Sequence, residues 1–242
     1  MPSPLAEAPD RFYRQAPCVF LDCDGVIFDS NGFKLDALRY ALVGSPAEAL
    51  SEMELFWSAN GGMARQTKLE YFFAQLLGSN DVAAQVAAAA ERFGDYARRA
   101  YDPVQPIAEA LELARDAGSS RCFVVSGADQ VELRDIFRAK HLSSLFAEVC
   151  GSPTAKLTHV ARILQEQQCP PERAVLIGDG AGDFDVCRRL GVPFIYLHEY
   201  SEWLAAKATL RGLPDVLVFD TWQSLLDRLG IRKSSASVEA AS

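Results

Sequence analysis

The sequence predicts an α/β fold: a Rossmann-like, doubly wound parallel sheet with an all-helical segment inserted after the first strand. Three observations predict it. Short apolar runs alternate with helical patterns through most of the 242 residues, which is the rhythm of a parallel sheet covered by helices on both faces. One stretch, from about Gly32 to Asp102, breaks that rhythm and carries helical patterns alone. Polar residues stand directly after the strands, where ligands bind in open α/β sheets.

In chain order, the N-terminus holds Pro2, Pro4 and Pro9 with acidic residues between them. It lacks the basic-then-apolar layout of a secretory signal. The first strand is CVFLD (18–22), and it closes on two aspartates one residue apart, Asp22 and Asp24, followed by Gly25. The inserted segment contains FKLDALRYALVG, SEMELFWSAN, TKLEYFFAQLLG and DVAAQVAAAAERFGDYARRAY. The insert therefore hangs on two connections, near residues 29–32 and 101–103. The remaining strands are RCFVVS (121–126), EVCG (148–151), AVLIGD (174–179), PFIYL (193–197) and VLVF (216–219). The helical segments PIAEALELARDAG, ADQVELRDIFRAKHL, KLTHVARILQEQ and DFDVCRRLG lie among them, with apolar residues at three-to-four spacing. Gly118 and Gly191 fall where helices should stop. The expected division is a discontinuous core of residues 1–31 and 103–232, a helical domain of residues 32–102, and a small, polar, disordered tail of residues 233–242.

Composition narrows the function. The chain is 49% hydrophobic, which suffices for a large core. Net charge is −8, pI is about 5.0 and mean hydropathy is +0.01, with no long basic run. Nucleic acid and anionic membrane surfaces are disfavoured as partners, and an anionic substrate needs local cations or a metal to hold it. No apolar run approaches the roughly 18 residues of a membrane span. Six cysteines sit without a CxxC pair, several inside apolar runs, as buried free thiols of a cytoplasmic protein do. His141, His159 and His198 have no metal-ligand spacing and read as surface or packing residues.

The strand-end residues suggest a chemistry. A carboxylate such as Asp22, pointing into a crevice, can act as a nucleophile and form an acyl phosphate that water cleaves. The amides of Cys23 and Asp24 and the close approach allowed by Gly25 can receive phosphate oxygens. Asp24 can protonate a leaving oxygen and then activate water. Asp179 and Asp183 lie on the turn of IGDGAGDFD, and clustered carboxylates there suit Mg²⁺. Without a cation, three or more anions in one partly dry cleft repel by several kcal/mol. Ser126, Gly127 and Lys156 can hold phosphate oxygens. Each residue also has a plainer reading. Asp183 could cap its helix, Ser126 could cap the next one, Lys156 could be solvated at a helix start, and Asp185 reads as a surface acid. Ser30 and Asn31 could be turn residues, and Phe56 and Trp57 read as core of the helical segment rather than a substrate platform.

Taken together, DCDGV, VVSGA, a lysine before a helix and IGDGAGD resemble the four motifs of the haloacid dehalogenase superfamily. Their order and spacing match across about Cys18 to Leu197. The helical insert resembles that superfamily's cap, as in phosphoglycolate-phosphatase-like and β-phosphoglucomutase-like members. The resemblance implies Asp22 as nucleophile and Asp24 as general acid/base. It implies Ser126 and Lys156 as phosphate ligands, with Lys156 also orienting Asp22. It implies a Mg²⁺ site of Asp22, the Asp24 carbonyl and Asp179, with Asp183 as a further acid. Presence of Asp24 favours phosphate esters over the dehalogenase and phosphonate branches. Gly180 departs from the Ser that many relatives carry after the motif's Asp. GGMARQTKLEYF resembles the cap stretch that faces the active site, which implies that Arg65, assisted by Lys68, grips a substrate phosphate or carboxylate, with Gly61 and Gly62 bringing the loop close. DGVIFDSNGFK resembles cap-bearing sequences found beside surface-sugar biosynthesis enzymes, which points toward a sugar phosphate. The implied function is a Mg²⁺-dependent phosphatase acting on a small phosphorylated metabolite. A β-phosphoglucomutase-like phosphomutase and a phospho-Asp signalling module stand as alternatives.

Overall fold

A computed structural model of the chain describes residues 4–61 and 63–232; Gly62, Pro2 and the 233–242 tail lie outside the described residues. Two short helices, α1 (Pro4–Glu7) and α2 (Pro9–Gln15), lead into β1 (Val19–Leu21). The helices α3 (Asn31–Ala41), α4 (Ala47–Ala59), α5 (Arg65–Tyr71) and α6 (Val82–Tyr101) follow, α5 being continued by a π-helical turn over Phe72–Leu76. The chain then alternates: α7 (Ala108–Ala117), β2 (Cys122–Asp129), α8 (Gln130–Ala139), β3 (Glu148–Ser152), α9 (Lys156–Glu166), β4 (Val175–Gly178), α10 (Ala181–Leu190), β5 (Phe194–Leu197), α11 (Ala206–Leu210), β6 (Val216–Phe219) and α12 (Trp222–Leu229). The strands pair in the order β3-β2-β1-β4-β5-β6, every pair parallel.

Period-two alternation divides each inner strand between two cores. Val19, Leu21, Val124, Ile177 and Ile195 face a cluster closed by Leu113 of α7, Phe137 of α8 and Leu225 of α12. Phe20, Phe123, Leu176 and Phe194 face the other way, onto Val160 and Ile163 of α9, Val186 of α10 and Leu210 of α11. Both sheet faces are therefore covered, as a parallel sheet requires. The helices α3 to α6 pack on a third core of their own, built on Leu38, Met53, Trp57, Phe72 and Phe93. Gly118 and Gly191 end α7 and α10 with φ of 81° and 75°, conformations that cost glycine little.

The six cysteines are buried and unpaired. His159 is buried, with Nε2 donating to Gly151 O at 2.9 Å, and His141 is exposed. No helix among the described residues is long and apolar enough to cross a membrane.

Candidate active site

The strand order places β1 between β2 and β4, and the chain winds outward from β1 in both directions. The carboxyl ends of these three neighbours form the crevice of the fold. Asp22 directly follows β1, and its amide donates to Ile177 O of β4 at 3.0 Å. The chain then doubles back sharply: the amides of Ile27 and Phe28 both donate to Cys23 O, at 2.8 and 3.0 Å, and Gly25 N donates to Phe28 O at 2.7 Å. From α12, Trp222 Nε1 pins the turn by donating to Val26 O at 3.1 Å. Gly25 has φ of +78°, and a Cβ there would stand 2.1 Å from Asp179 Oδ2. Glycine is thus required both by the backbone and by the approach of Asp179.

Asp22, Asp179 and Asp183 converge, with one carboxylate oxygen from each lying within 4.8 Å of the others. All three are buried. Lys156, first residue of α9, reaches Asp22 Oδ1 at 2.9 Å and also pairs with Asp183 Oδ1. Asp22 Oδ1 additionally accepts from Cys23 N at 2.7 Å, so that amide is already engaged within the turn. Asp183 Oδ2 accepts from Gly180 N at 3.1 Å, which makes Asp183 both the cap of α10 and a member of the cluster. Gly178 permits this, since a Cβ there would meet the Asp183 carboxyl carbon at 2.5 Å.

Three acids face one lysine. Burial first, and then the neighbouring Asp183, push Asp22 up to about 7. Asp179 is pushed well above the usual carboxylate range by burial and by Asp22. Burial would lower Lys156, but Asp183 and Asp22 raise it, so it stays charged. The local excess of negative charge and the all-oxygen donor set fit a hard divalent cation such as Mg²⁺.

Asp24 faces a different set of partners. Lys34 Nζ of α3 pairs with Oδ2 at 2.7 Å, Ser30 Oγ donates to Oδ1 at 2.6 Å, and Tyr101 Oη donates to the same oxygen. Burial opposes ionisation of Asp24, but Lys34 and these hydroxyls outweigh it and hold the carboxyl below its ordinary value. Ser30 and Tyr101 flank the two connections between the sheet and the helical layer.

A cavity of about 460 Å³ lies over these residues. Asp22, Asp24, Ser126, Gly127, Asp179 and Asp183 line it from the sheet side, and Arg65, Lys68, Trp57 and Phe93 line it from the helical layer. Ser126 is buried, and its Oγ accepts from Ala128 N at 3.1 Å. It does not cap α8: Asp129 does, accepting from Val131 N and Glu132 N. Arg65 forms a two-pronged pair with Glu132 of α8, at 2.6 and 3.0 Å, and its guanidinium lies 4.2 Å from the Phe93 centroid. Lys68 donates to Trp57 O at 3.2 Å and stands 4.3 Å from the Trp57 ring centroid. Trp57 is a core residue of the helical layer, as expected, and it also forms part of the cavity wall.

Several cavity residues were not assigned from sequence. Asn31 Nδ2 donates to Asp179 Oδ2 at 2.8 Å and to Tyr200 O at 2.9 Å, fixing one acid of the carboxylate cluster from the first turn of α3. Tyr101 and Glu132 act through partners far away in sequence, whereas Lys34 meets Asp24 on the stretch just before it. The 202–205 segment, on the connection from β5 to α11, closes one side of the cavity with Trp203 and Leu204. The one local signal was the position of Asn31 and Lys34 on the stretch leaving the first motif.

A family model described as a hydrolase, haloacid dehalogenase-like hydrolase, matches residues 16–191. Solved structures share the fold. A haloacid dehalogenase-like family hydrolase from Streptococcus pneumoniae superposes with a TM-score of 0.64 at 21% identity, covering 88% of this chain and 98% of that one. A protein from Haemophilus somnus described as a predicted phosphoglycolate phosphatase gives 0.66 at 18%, covering 88% and 97%. A Bacillus subtilis HAD-hydrolase, YfnB, whose structure holds magnesium, gives 0.60 at 15%, covering 90% and 100%. No curated protein matches the chain.

Proposed function

Because this chain belongs to the haloacid dehalogenase-like hydrolases, we propose that it is a Mg²⁺-dependent phosphatase that cleaves a small phosphate ester through an aspartyl phosphate on Asp22. The observation that carries this reading is the position of Asp22 on the cavity wall, with Oδ1 2.9 Å from Lys156 Nζ, beside Asp179 and Asp183. In this reading the metal is held by Asp22, Asp179 and the Asp24 carbonyl, with Asp183 alongside. When bound, Mg²⁺ offsets the charge on the transferring phosphoryl group.

The chain's own residues supply the rest. Lys156 orients Asp22 so that a carboxylate oxygen attacks phosphorus, forming the acyl–phosphate bond as the P–O bond to the alcohol breaks. Ser126 and the Gly127 amide receive phosphate oxygens. The proton for the departing alkoxide comes from Asp24, which must first leave Lys34 and take up a proton. Ionised again, Asp24 removes a proton from the water that cleaves the acyl phosphate. The helical layer over the cavity excludes bulk water, the role of a cap domain on residues 32–102.

Phosphate release from a panel of sugar, sugar-acid and small-carboxylate phosphates tests this, run with Mg²⁺ and with EDTA. Release should require Mg²⁺, and Asp22→Asn should retain less than about 1% of the wild-type rate. A higher residual rate would remove Asp22 from the role of nucleophile.

A further inference from the structure

β2 and β3 pair in register up to Val125 and Cys150, and again at Asp129 and Ser152. Between these points Ser126, Gly127 and Ala128 stand opposite the single residue Gly151. The result is a bulge, and all three of its residues line the cavity. Gly151 lies tight beneath it: a Cβ there would stand 2.5 Å from Ala128 O and 2.9 Å from Gln130 N. Side chains meet both backbone groups of Gly151. Its N–H donates to Gln130 Oε1 at 3.2 Å, and its carbonyl accepts from His159 Nε2 at 2.9 Å.

A histidine is a costly choice for a packing position such as this. His159 is 6% exposed, and its Nδ1 has no hydrogen-bond partner among the described residues. A carbonyl only accepts, so Nε2 carries the proton and Nδ1 is a bare, buried acceptor. A methionine or leucine would fill the space with no such group. What the histidine adds is its hydrogen bond to Gly151. Along α9, His159 stands three residues after Lys156, so the two side chains share a face of the helix. Pro153, Thr154 and Ala155, which join the end of β3 to Lys156, are exposed. His159 ties the first turn of α9 back to β3 across that unpacked link.

We propose that His159 and Gln130 clamp Gly151 from both sides and so hold Lys156 in register with the Ser126–Ala128 bulge. His159 is a positioning residue. It lies outside the cavity lining and acts through Lys156, whose ammonium stands 2.9 Å from Asp22 Oδ1. Gln130, the first residue of α8, does the same for the bulge that precedes it. This rests on the phosphatase reading, in which Lys156 orients Asp22 and the bulge receives phosphate oxygens. A small shift of either element misaligns the attacking carboxylate and the phosphorus.

The test compares His159→Met with His159→Gln on whichever ester of the phosphate panel the wild type hydrolyses fastest. Methionine fills the space without a donor, and the glutamine amide can offer an N–H where Nε2 stood. His159→Met should lower kcat by about tenfold and leave KM within about twofold, because orientation rather than binding is lost. His159→Gln should keep kcat within about threefold of wild type. Wild-type kcat in His159→Met, equal losses in both variants, or a loss carried by KM alone overturns the proposal. A merely structural role would lower stability in urea and leave the turnover of folded His159→Met unchanged. If His159→Met does not fold, Gln130→Met decides: kcat should fall by about threefold or more, and wild-type kinetics overturn the clamp. If the wild type hydrolyses no ester, the phosphatase reading has failed by itself. Hydrogen exchange of the 152–158 segment then still tests the clamp. Exchange about tenfold faster in His159→Met, with His159→Gln like wild type, sustains it, and unchanged exchange in His159→Met refutes it.

Discussion

Lys34 meets Asp24 at 2.7 Å where the carboxylate is nearly buried and the lysine about a quarter exposed. Removing Lys34 leaves Asp24 with two hydroxyls and no counter-charge. The folded Asp24 sits below its unfolded value, so its contribution to stability is complete above about pH 4 and is lost as pH falls through the folded value. Lys34→Met should therefore destabilise the protein by about 2 kcal/mol near pH 7, with the gap to wild type narrowing on acidification below about pH 4. Urea unfolding at the two pH values measures it; an equal gap at both would mean that Asp24 is not the partner being lost. At this scale the sequence was informative where chemistry is local. Asp22, Asp24, Ser126, Asp179 and Lys156 could be picked out because each lies at or just past the end of an apolar run or opens a helical pattern. Tyr101 and Asn31 could not, since Tyr101 lies 77 residues from Asp24 and Asn31 lies 148 from Asp179. Nothing in a tyrosine near a helix end tells which carboxylate it will meet.

Between elements, the Arg65–Glu132 pair ties α5 to α8, with side chains only 10% and 16% exposed. Arg98 of α6 adds a longer contact to Glu132 at 3.9 Å. Two prongs in a partly dry setting give strong coupling. A double-mutant cycle with Arg65→Ala and Glu132→Ala should yield a coupling energy above about 1 kcal/mol, read from urea unfolding. A value near zero would show that the helical layer is held to the sheet by other contacts. The aromatic chain at the two connections is the alternative: Tyr101 packs edge-on against Phe28 at 5.5 Å and Phe33 at 4.9 Å. Strands were legible because both faces of this sheet are buried, so each inner strand is an unbroken apolar word of four or five letters. β2 runs to Asp129, past the expected end at Ser126, because the residues beyond Ser126 keep pairing with β3 after an irregularity. The helices α1 and α2 carry too few turns, and too much proline, for a periodic signal to emerge.

For the molecule as a whole, the carboxylate cluster is a standing electrostatic penalty in the middle of the fold. A divalent cation that binds the folded state alone should raise stability by about 2–3 kcal/mol at a hundredfold excess over its dissociation constant. For a chain of this size, that is a rise in Tm of about 5 °C or more with Mg²⁺. Asp179→Asn should show a much smaller rise. An unchanged Tm for wild type in Mg²⁺ would remove the metal assignment. The order of strands, and with it the meeting of three strand ends in one crevice, follows from how the crossovers wind, which no local pattern records.

Every cysteine of the chain lies in the sheet-bearing part: none falls between Asn31 and Tyr101. All six are shut away, and burial raises the thiols of Cys18, Cys122 and Cys150 to about 12. A thiol-directed dye should therefore react with Cys18, Cys122 and Cys150 only when the sheet-bearing part opens. The chain carries its own unfolding clock.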